Sequence, residues 1–199
     1  MKIPRSLTVL VDSREKYPLL FPAHIDWYPS RGGKPKKIVV CTDKRVLEAG
    51  DYALEEYAYG CIIERKGSLR ELHQNLLTDD YKRFKAAIER LAEACRYPYL
   101  LLDMTPADLH RPTEHVESPA EVVDALMEFV HRYGLRLWFA GSCKQYQARR
   151  ILGEQVVRVI LAHSLRDEES EILMPDAKII SQLTKPSADA TIGRVEGGV

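Results

Sequence analysis

Residues 61–68 read CIIERKGS, and shortly upstream residues 50–54 read GDYAL. In an extended chain successive side chains point to opposite faces, so Glu64 and Lys66 project together while Arg65 projects the other way. The apolar opening Cys61-Ile62-Ile63 predicts a buried strand, and residues 55–60 predict a hairpin turn joining it to a shorter strand that begins near Asp51. That hairpin brings Asp51 beside Glu64 and Lys66. Asp12, at the end of the apolar run of residues 7–11 (LTVLV), adds a further carboxylate. Two readings are open at this point. One is a hairpin with solvated charges. The other is a set of oxygen ligands suited to magnesium or manganese, with a lysine able to hold or polarise a water, which is equipment for hydrolysing a phosphodiester.

The flanking segments supply the rest of a sheet and its covering helices. Residues 7–11 predict a buried strand and residues 37–42 a second, separated by a connection with four prolines and two adjacent glycines that reads as long and irregular. Ser68 and Glu71 form an S-x-x-E cap ahead of Leu69, Leu72 and Leu76, so a helix starts directly after the lysine. A second helix is predicted over residues 79–95, with Phe84, Ile88, Leu91 and Cys95 on one stripe. YPYLLLDM then predicts a buried strand. Ser118-Pro119-Ala120-Glu121 opens another helix, LRLWFA gives a strand, and Ser142-x-x-Gln145 caps a last long helix. Its apolar face comprises Leu152, Val156, Val159, Ile160 and His163, with Lys144, Arg149, Arg150 and Arg158 on its polar side. Strands clustered first and then alternating with helices predict an α/β mixed sheet with helices on its faces.

Composition narrows the class. At 199 residues with 45% apolar content the chain makes one domain, expected over residues 1–165, with a loosely ordered tail over 166–199. Its 29 basic and 29 acidic residues cancel, but they are segregated. Arg31, Lys34, Lys36, Lys37, Lys44 and Arg45 stand against Asp43 alone, whereas Asp167, Glu168, Glu169, Glu171 and Asp176 form an acidic stretch. Four widely spaced cysteines without a C-x-x-C pair read as reduced core residues, and His110 and His115 as loop residues rather than zinc ligands. No apolar stretch reaches the length of a membrane span, and the N-terminus meets charge too early for a signal peptide, so the expected compartment is the cytoplasm.

The motifs, taken in order, carry a resemblance. VDSRE at residues 11–15, GDYAL at 50–54, IERK at 63–66, YKRFKAAIERL at 81–91, YLLLD at 99–103 and GLRLWFAGS at 134–142 resemble the XPF family of structure-selective DNA endonucleases in sequence and spacing. The likeness runs over about residues 7–165. It implies the restriction-endonuclease-like fold, a mixed central sheet flanked by helices, and a magnesium- or manganese-dependent endonuclease acting on branched or flapped DNA in repair, recombination or replication. By the same resemblance Asp12, Asp51 and Glu64 match metal-binding carboxylates and Lys66 the catalytic lysine. Arg65 matches the arginine of that motif, with a surface or supporting charge as its alternative. Arg14 and Glu15 match the D-x-R-E motif, near the scissile phosphate or as an ion pair.

The basic segment before GDYAL offers Lys34, Lys36 and Lys37 for phosphate contacts, with Trp27 and Tyr28 upstream for base stacking. The sequence departs from the family pattern at Arg70, where E-R-K-x-x-x-D has an acid. The tail also shows nothing like the helix-hairpin-helix modules common in the family, so junction gripping would fall to this domain, a homodimer, or a helicase or other repair or replication protein. The short form looks like stand-alone prokaryotic or phage-encoded relatives. The alternative function is a catalytically silent DNA-binding or scaffold subunit, which typically lacks the acids or the lysine retained here.

Overall fold

The computed structural model describes residues 3–29, 33–57 and 60–170. The acidic stretch beyond Ser170 and most of the expected tail lie outside them, as does Arg31. Seven strands form one mixed sheet: β1 (Ser6–Asp12), β2 (His24–Trp27), β3 (Lys36–Arg45), β4 (Tyr52–Leu54), β5 (Cys61–Lys66), β6 (Tyr97–Leu102) and β7 (Arg136–Phe139), in spatial order β2-β3-β1-β4-β5-β6-β7. β1 runs parallel to β3, and β5, β6 and β7 run parallel to one another, while the hairpin strand β4 is antiparallel to both β1 and β5. This is the α/β mixed sheet expected from the sequence. Among the described residues no helix is long and apolar enough to cross a membrane.

The alternation along the strands sorts the core into two layers. Leu10, Ile62, Leu100 and Leu102 face helices α1 (Leu69–Leu77), α2 (Tyr81–Ala94) and α4 (Pro119–Arg132). Val9, Val11, Cys61, Ile63 and Leu101 face the long helix α5 (Tyr146–Ser170). Each fully buried aliphatic side chain contributes roughly 1.5–3 kcal/mol, so both helix layers are held to the sheet by its period-two pattern. The start of α1 is as the cap signal requires: the Ser68 side chain accepts from the Glu71 N–H at 3.2 Å.

Four expectations are corrected. The connection of residues 13–36 is not wholly irregular, because it contains β2, whose Ile25 is buried against β3. β3 extends from Lys36 to Arg45 rather than over residues 37–42. Helix α5 spans Tyr146–Ser170, so it begins at Tyr146 rather than directly after Ser142. Its buried stripe includes Val157 and Leu161, with Val159 and His163 only half-buried. A short helix, α3 (Pro106–Leu109), gave no periodic signal.

Residues 17–21 form a strap from the sheet to α5. Leu19 donates to the Tyr52 hydroxyl at 3.0 Å, Arg149 donates to the Pro18 carbonyl, and Leu20 donates to the Arg149 carbonyl. The strap crosses α5 at Gly153, where a Cβ would collide with the Leu20 carbonyl oxygen. Arg158 donates to Glu154 and to the Asp26 carbonyl. The basic side of α5 is thus partly engaged within the fold.

Gly50 sets the entrance to β4. Its φ of +68° lies in the left-handed region, and a Cβ there would meet Ile62 Cγ2 and lie 3.1 Å from the Ile63 carbonyl oxygen. Gly50→Ala is expected to lower unfolding stability by roughly 1–3 kcal/mol in urea titration. Stability equal to the parent protein would contradict the assigned turn.

Candidate active site

The strand ends converge. Asp12 N–H donates to the Asp51 carbonyl at 2.9 Å, Asp51 N–H to the Ile63 carbonyl at 2.8 Å, and Asp103 N–H to the Lys66 carbonyl at 2.9 Å. The carboxyl ends of β1, β5 and β6 therefore meet the start of β4. In open α/β sheets this is where ligands bind. A cleft of about 620 Å³ opens there, lined among others by Asp12, Arg14, Glu15, Asp51, Glu64, Arg65 and Lys66. All seven residues singled out around the D-x-R-E and E-R-K motifs share it.

Glu64 and Lys66 lie on the α2 side of the sheet. Lys66 Nζ is 2.9 Å from Glu64 Oε1 and 3.3 Å from Glu71 Oε1, and it sits 5.0 Å from the centre of the Phe84 ring. Burial alone would lower the lysine pKa, but the charges of Glu64 and Glu71 override it and raise the value above normal. Lys66 is thus a fixed cation rather than a proton acceptor. Asp51 Oδ2 accepts the Arg65 N–H at 2.7 Å. Burial, and then the charge of Glu64, push the Asp51 carboxyl well above the usual carboxylate range.

Asp12 is held differently. It is 2% exposed, and its oxygens accept from the Arg14 N–H at 2.7 Å and from the Arg14 guanidinium. Burial pushes its pKa up, yet these Arg14 contacts outweigh burial and hold it below the normal value. Arg14 also donates to the Leu47 carbonyl at 2.7 Å.

Arg65 points to the α5 side, as the alternation requires. Its guanidinium pairs with both Asp103 oxygens, donates to the Tyr17 carbonyl at 2.7 Å and lies 3.6 Å from Glu15. With Arg65 9% exposed, this is a buried ion pair that ties β5, β6 and the strap together. The geometry gives Arg65 and Glu15 a supporting position, beside the cleft's acids rather than among them.

Lys36 and Lys37 are not brought to the cleft. They open β3 at the end opposite Arg45, which pairs with Asp12, so Lys36 lies nine residues, roughly 30 Å of extended chain, away and Lys37 one residue less, and Lys34 precedes them. Trp27 packs into the α5 layer, leaving Tyr28 exposed. The basic rim of the cleft consists instead of Arg14, Lys16, Arg83 and Arg90. Sequence reasoning missed Glu71 as a site residue. Its Oε2 accepts the Gly67 N–H at 2.9 Å while Oε1 holds Lys66. Arg70, at the family's acidic position, turns outward to His115 at 3.1 Å. The S-x-x-E cap was a signal that Glu71 faces back toward residue 67.

The family model of the ERCC4 domain matches residues 11–147. The chain belongs to this family. No curated protein matches the sequence. Among solved structures, the chain is similar to XPF from Aeropyrum pernix, at 17% identity and a TM-score of 0.47 over 96% of this chain and 68% of that one. It is also similar to XPF from Aeropyrum pernix in complex with DNA, at 19% identity and a TM-score of 0.48 over 88% and 73% of the two chains.

This ERCC4 domain contains no preassembled cage for a cation: among the described residues, no group of three or more His, Cys, Asp or Glu side chains is gathered as a metal site. The donor chemistry nevertheless fits a hard dication at Asp51 and Glu64. Burial first, and then the charge of Glu64, raise the Asp51 pKa, and a cation with oxygen preference offsets both. Both Asp12 oxygens accept from Arg14, so that carboxylate is already engaged.

Two outcomes test this electrostatic picture. A carboxyl with a raised folded pKa destabilises the fold as pH climbs from its unfolded value through its folded one. In metal-free protein, the Tm difference between Asp51→Asn and wild type should therefore move in the variant's favour as pH rises above 3.8. A pH-independent difference would place Asp51 in a solvated environment. For the buried pair, Asp103→Ala should cost about 3–5 kcal/mol in chemical denaturation, because it removes the partner bound through both oxygens and leaves the buried Arg65 charge only the looser contact with Glu15 at 3.6 Å; a loss under 1 kcal/mol would show that water or Glu15 takes over.

Proposed function

We propose that this ERCC4 domain is a divalent-metal-dependent endonuclease that hydrolyses phosphodiesters in branched or flapped DNA. The observation that carries the reading is the cleft in which two crowded carboxylates, Asp51 and Glu64, adjoin a permanently charged lysine at the strand ends. Asp51 and Glu64 would hold magnesium or manganese, with Asp12 as the third carboxylate. The bound ion supplies Lewis acidity and a more acidic water.

Lys66 has a distinct task. Held in its cationic form, it offers N–H groups to a phosphate oxygen or to the attacking water, and it stabilises the negative charge that develops as the bond breaks. Glu71 keeps its ammonium in place from the second side. Arg14 stands beside Asp12 with an exposed side chain and supplies a guanidinium to the phosphate. Arg65 acts at a distance, by fixing the end of β5. A silent scaffold subunit is the competing reading, and the retention of Asp12, Asp51, Glu64 and Lys66 in one cleft favours the enzyme.

Cleavage of end-labelled forks, flaps, four-way junctions and plain duplex decides between them. Wild type with magnesium or manganese should cut near the branch, and EDTA should abolish cutting. Asp51→Asn and Glu64→Gln should each reduce the rate at least 10²-fold, and Lys66→Met by roughly 10²–10³-fold, with the far-ultraviolet circular dichroism unchanged. Full rates in the Asp51 and Glu64 variants would refute the assignment. Tight junction binding without any cutting would support the scaffold.

A further inference from the structure

One ammonium in the cleft serves two carboxylates. Lys66 Nζ lies 2.9 Å from Glu64 Oε1 and 3.3 Å from Glu71 Oε1, and among the described residues no other acid comes within ion-pair distance of it. The two acids are held differently. Glu64 projects from β5 into the cleft, where its carboxylate has the lysine as ion-pair partner. Glu71 stands in the first turn of α1, and its second oxygen accepts the Gly67 N–H at 2.9 Å, which keeps the carboxylate turned toward the end of β5. Lysine carries its charge on a flexible stem, so a shift of the ammonium from one acid to the other needs no movement of the backbone.

We propose that Glu71 is a positioning residue for metal loading: Lys66 occupies Glu64 in the metal-free protein and passes to Glu71 when a dication takes that carboxylate. The inference rests on the reading of Asp51 and Glu64 as metal ligands and specifies what their resident cation does. An ammonium and a dication on one carboxylate repel each other, and the repulsion is strong where little water screens it. The other acids of the cleft offer the ammonium no alternative. Asp51 is the second proposed ligand, Asp12 has both oxygens engaged by Arg14, Glu15 lies against the Arg65 guanidinium, and Glu48 is exposed and outside ion-pair range. Glu71 is within reach and outside the proposed ligand pair. Its side chain is 40% exposed, against 15% for Glu64, so the acid that receives the ammonium is the better hydrated of the two. Without Glu71 the ammonium has Glu64 alone and competes with the ion for it.

Titration of the metal-free protein with manganese, followed by isothermal calorimetry in the absence of DNA, tests the hand-over without cleavage. Lys66→Met should bind the ion roughly ten-fold more tightly than wild type, and Glu71→Gln roughly five- to ten-fold more weakly. The deciding value is the effect of Glu71→Gln in a Lys66→Met background, where no ammonium needs a second acid. There it should shrink to about two-fold or less. An equal loss in both backgrounds overturns the hand-over, because Glu71 then acts on the ion itself, as a ligand or as a distant charge. Lys66→Met binding no tighter than wild type overturns it too. Should Lys66→Met fail to fold by far-ultraviolet circular dichroism, Lys66→Gln takes its place in the cycle, with the same expected signs. If neither wild type nor the lysine variant takes up manganese at millimolar concentration, it is the metal reading that fails, and the hand-over with it.

Discussion

The cleft depends on how the end of β5 is fixed, and Arg65 fixes it. Its backbone N–H is bound by Asp51 and its guanidinium by Asp103, Tyr17 and Glu15. One residue thus connects the start of β4, the end of β6 and the strap that runs on to α5. Buried ion pairs add little net stability compared with an apolar pair of the same size, but losing one partner is severe. What Arg65 provides is position. With it held on one face, strand alternation leaves Glu64 and Lys66 no choice but the other.

That other face is assembled against its own electrostatics. Asp51 is buried beside Glu64 with no adjacent guanidinium of its own, whereas Asp12 has Arg14 and Arg65 has Asp103. The contrast leaves unbalanced charge at Asp51 and Glu64. Lys66 offsets part of it, but Lys66 is itself divided between Glu64 and Glu71. A fold optimised only for stability would replace such a group by apolar residues. Strain of this kind, held in place by the rigid strand ends around it, is what a site awaiting a cation and a polyanion requires.

Much of this was legible in the sequence, for definite reasons. The E-x-K pair, the hairpin and the Ser68 cap are local features, and short-range sterics dictated them. β2 was hidden because it exists only by pairing with β3, and its single buried residue, Ile25, stands among prolines that signal irregular chain. The start of α5 was misplaced because Ser142-x-x-Gln145 imitates a cap. Just before it, Gly141 turns at a φ of +73°, and the buried Cys143 is bonded back to the Gly141 carbonyl, so the chain is not yet free to coil. The basic residues near Lys36 were placed by composition alone. Only the strand register shows that they leave from the far end of β3.

Glu71 shows how one position can separate a motif from its geometry. A helix turns about 100° per residue, so moving an acid by one place swings it to a different face unless the helix phase moves with it. Here the phase is set by the Ser68 cap and by Leu69, Leu72 and Leu76, all buried against the sheet and its neighbouring helices. With those leucines inward, residue 70 must face out, and Arg70 does, toward His115. Residue 71 then reaches back over the first turn, where Gly67 N–H and Lys66 Nζ both lie within its carboxylate's range. An arginine at the family's acidic position is therefore compatible with a buttressed lysine, because the constraint acts on the side chain facing Lys66 and not on the count of residues after it.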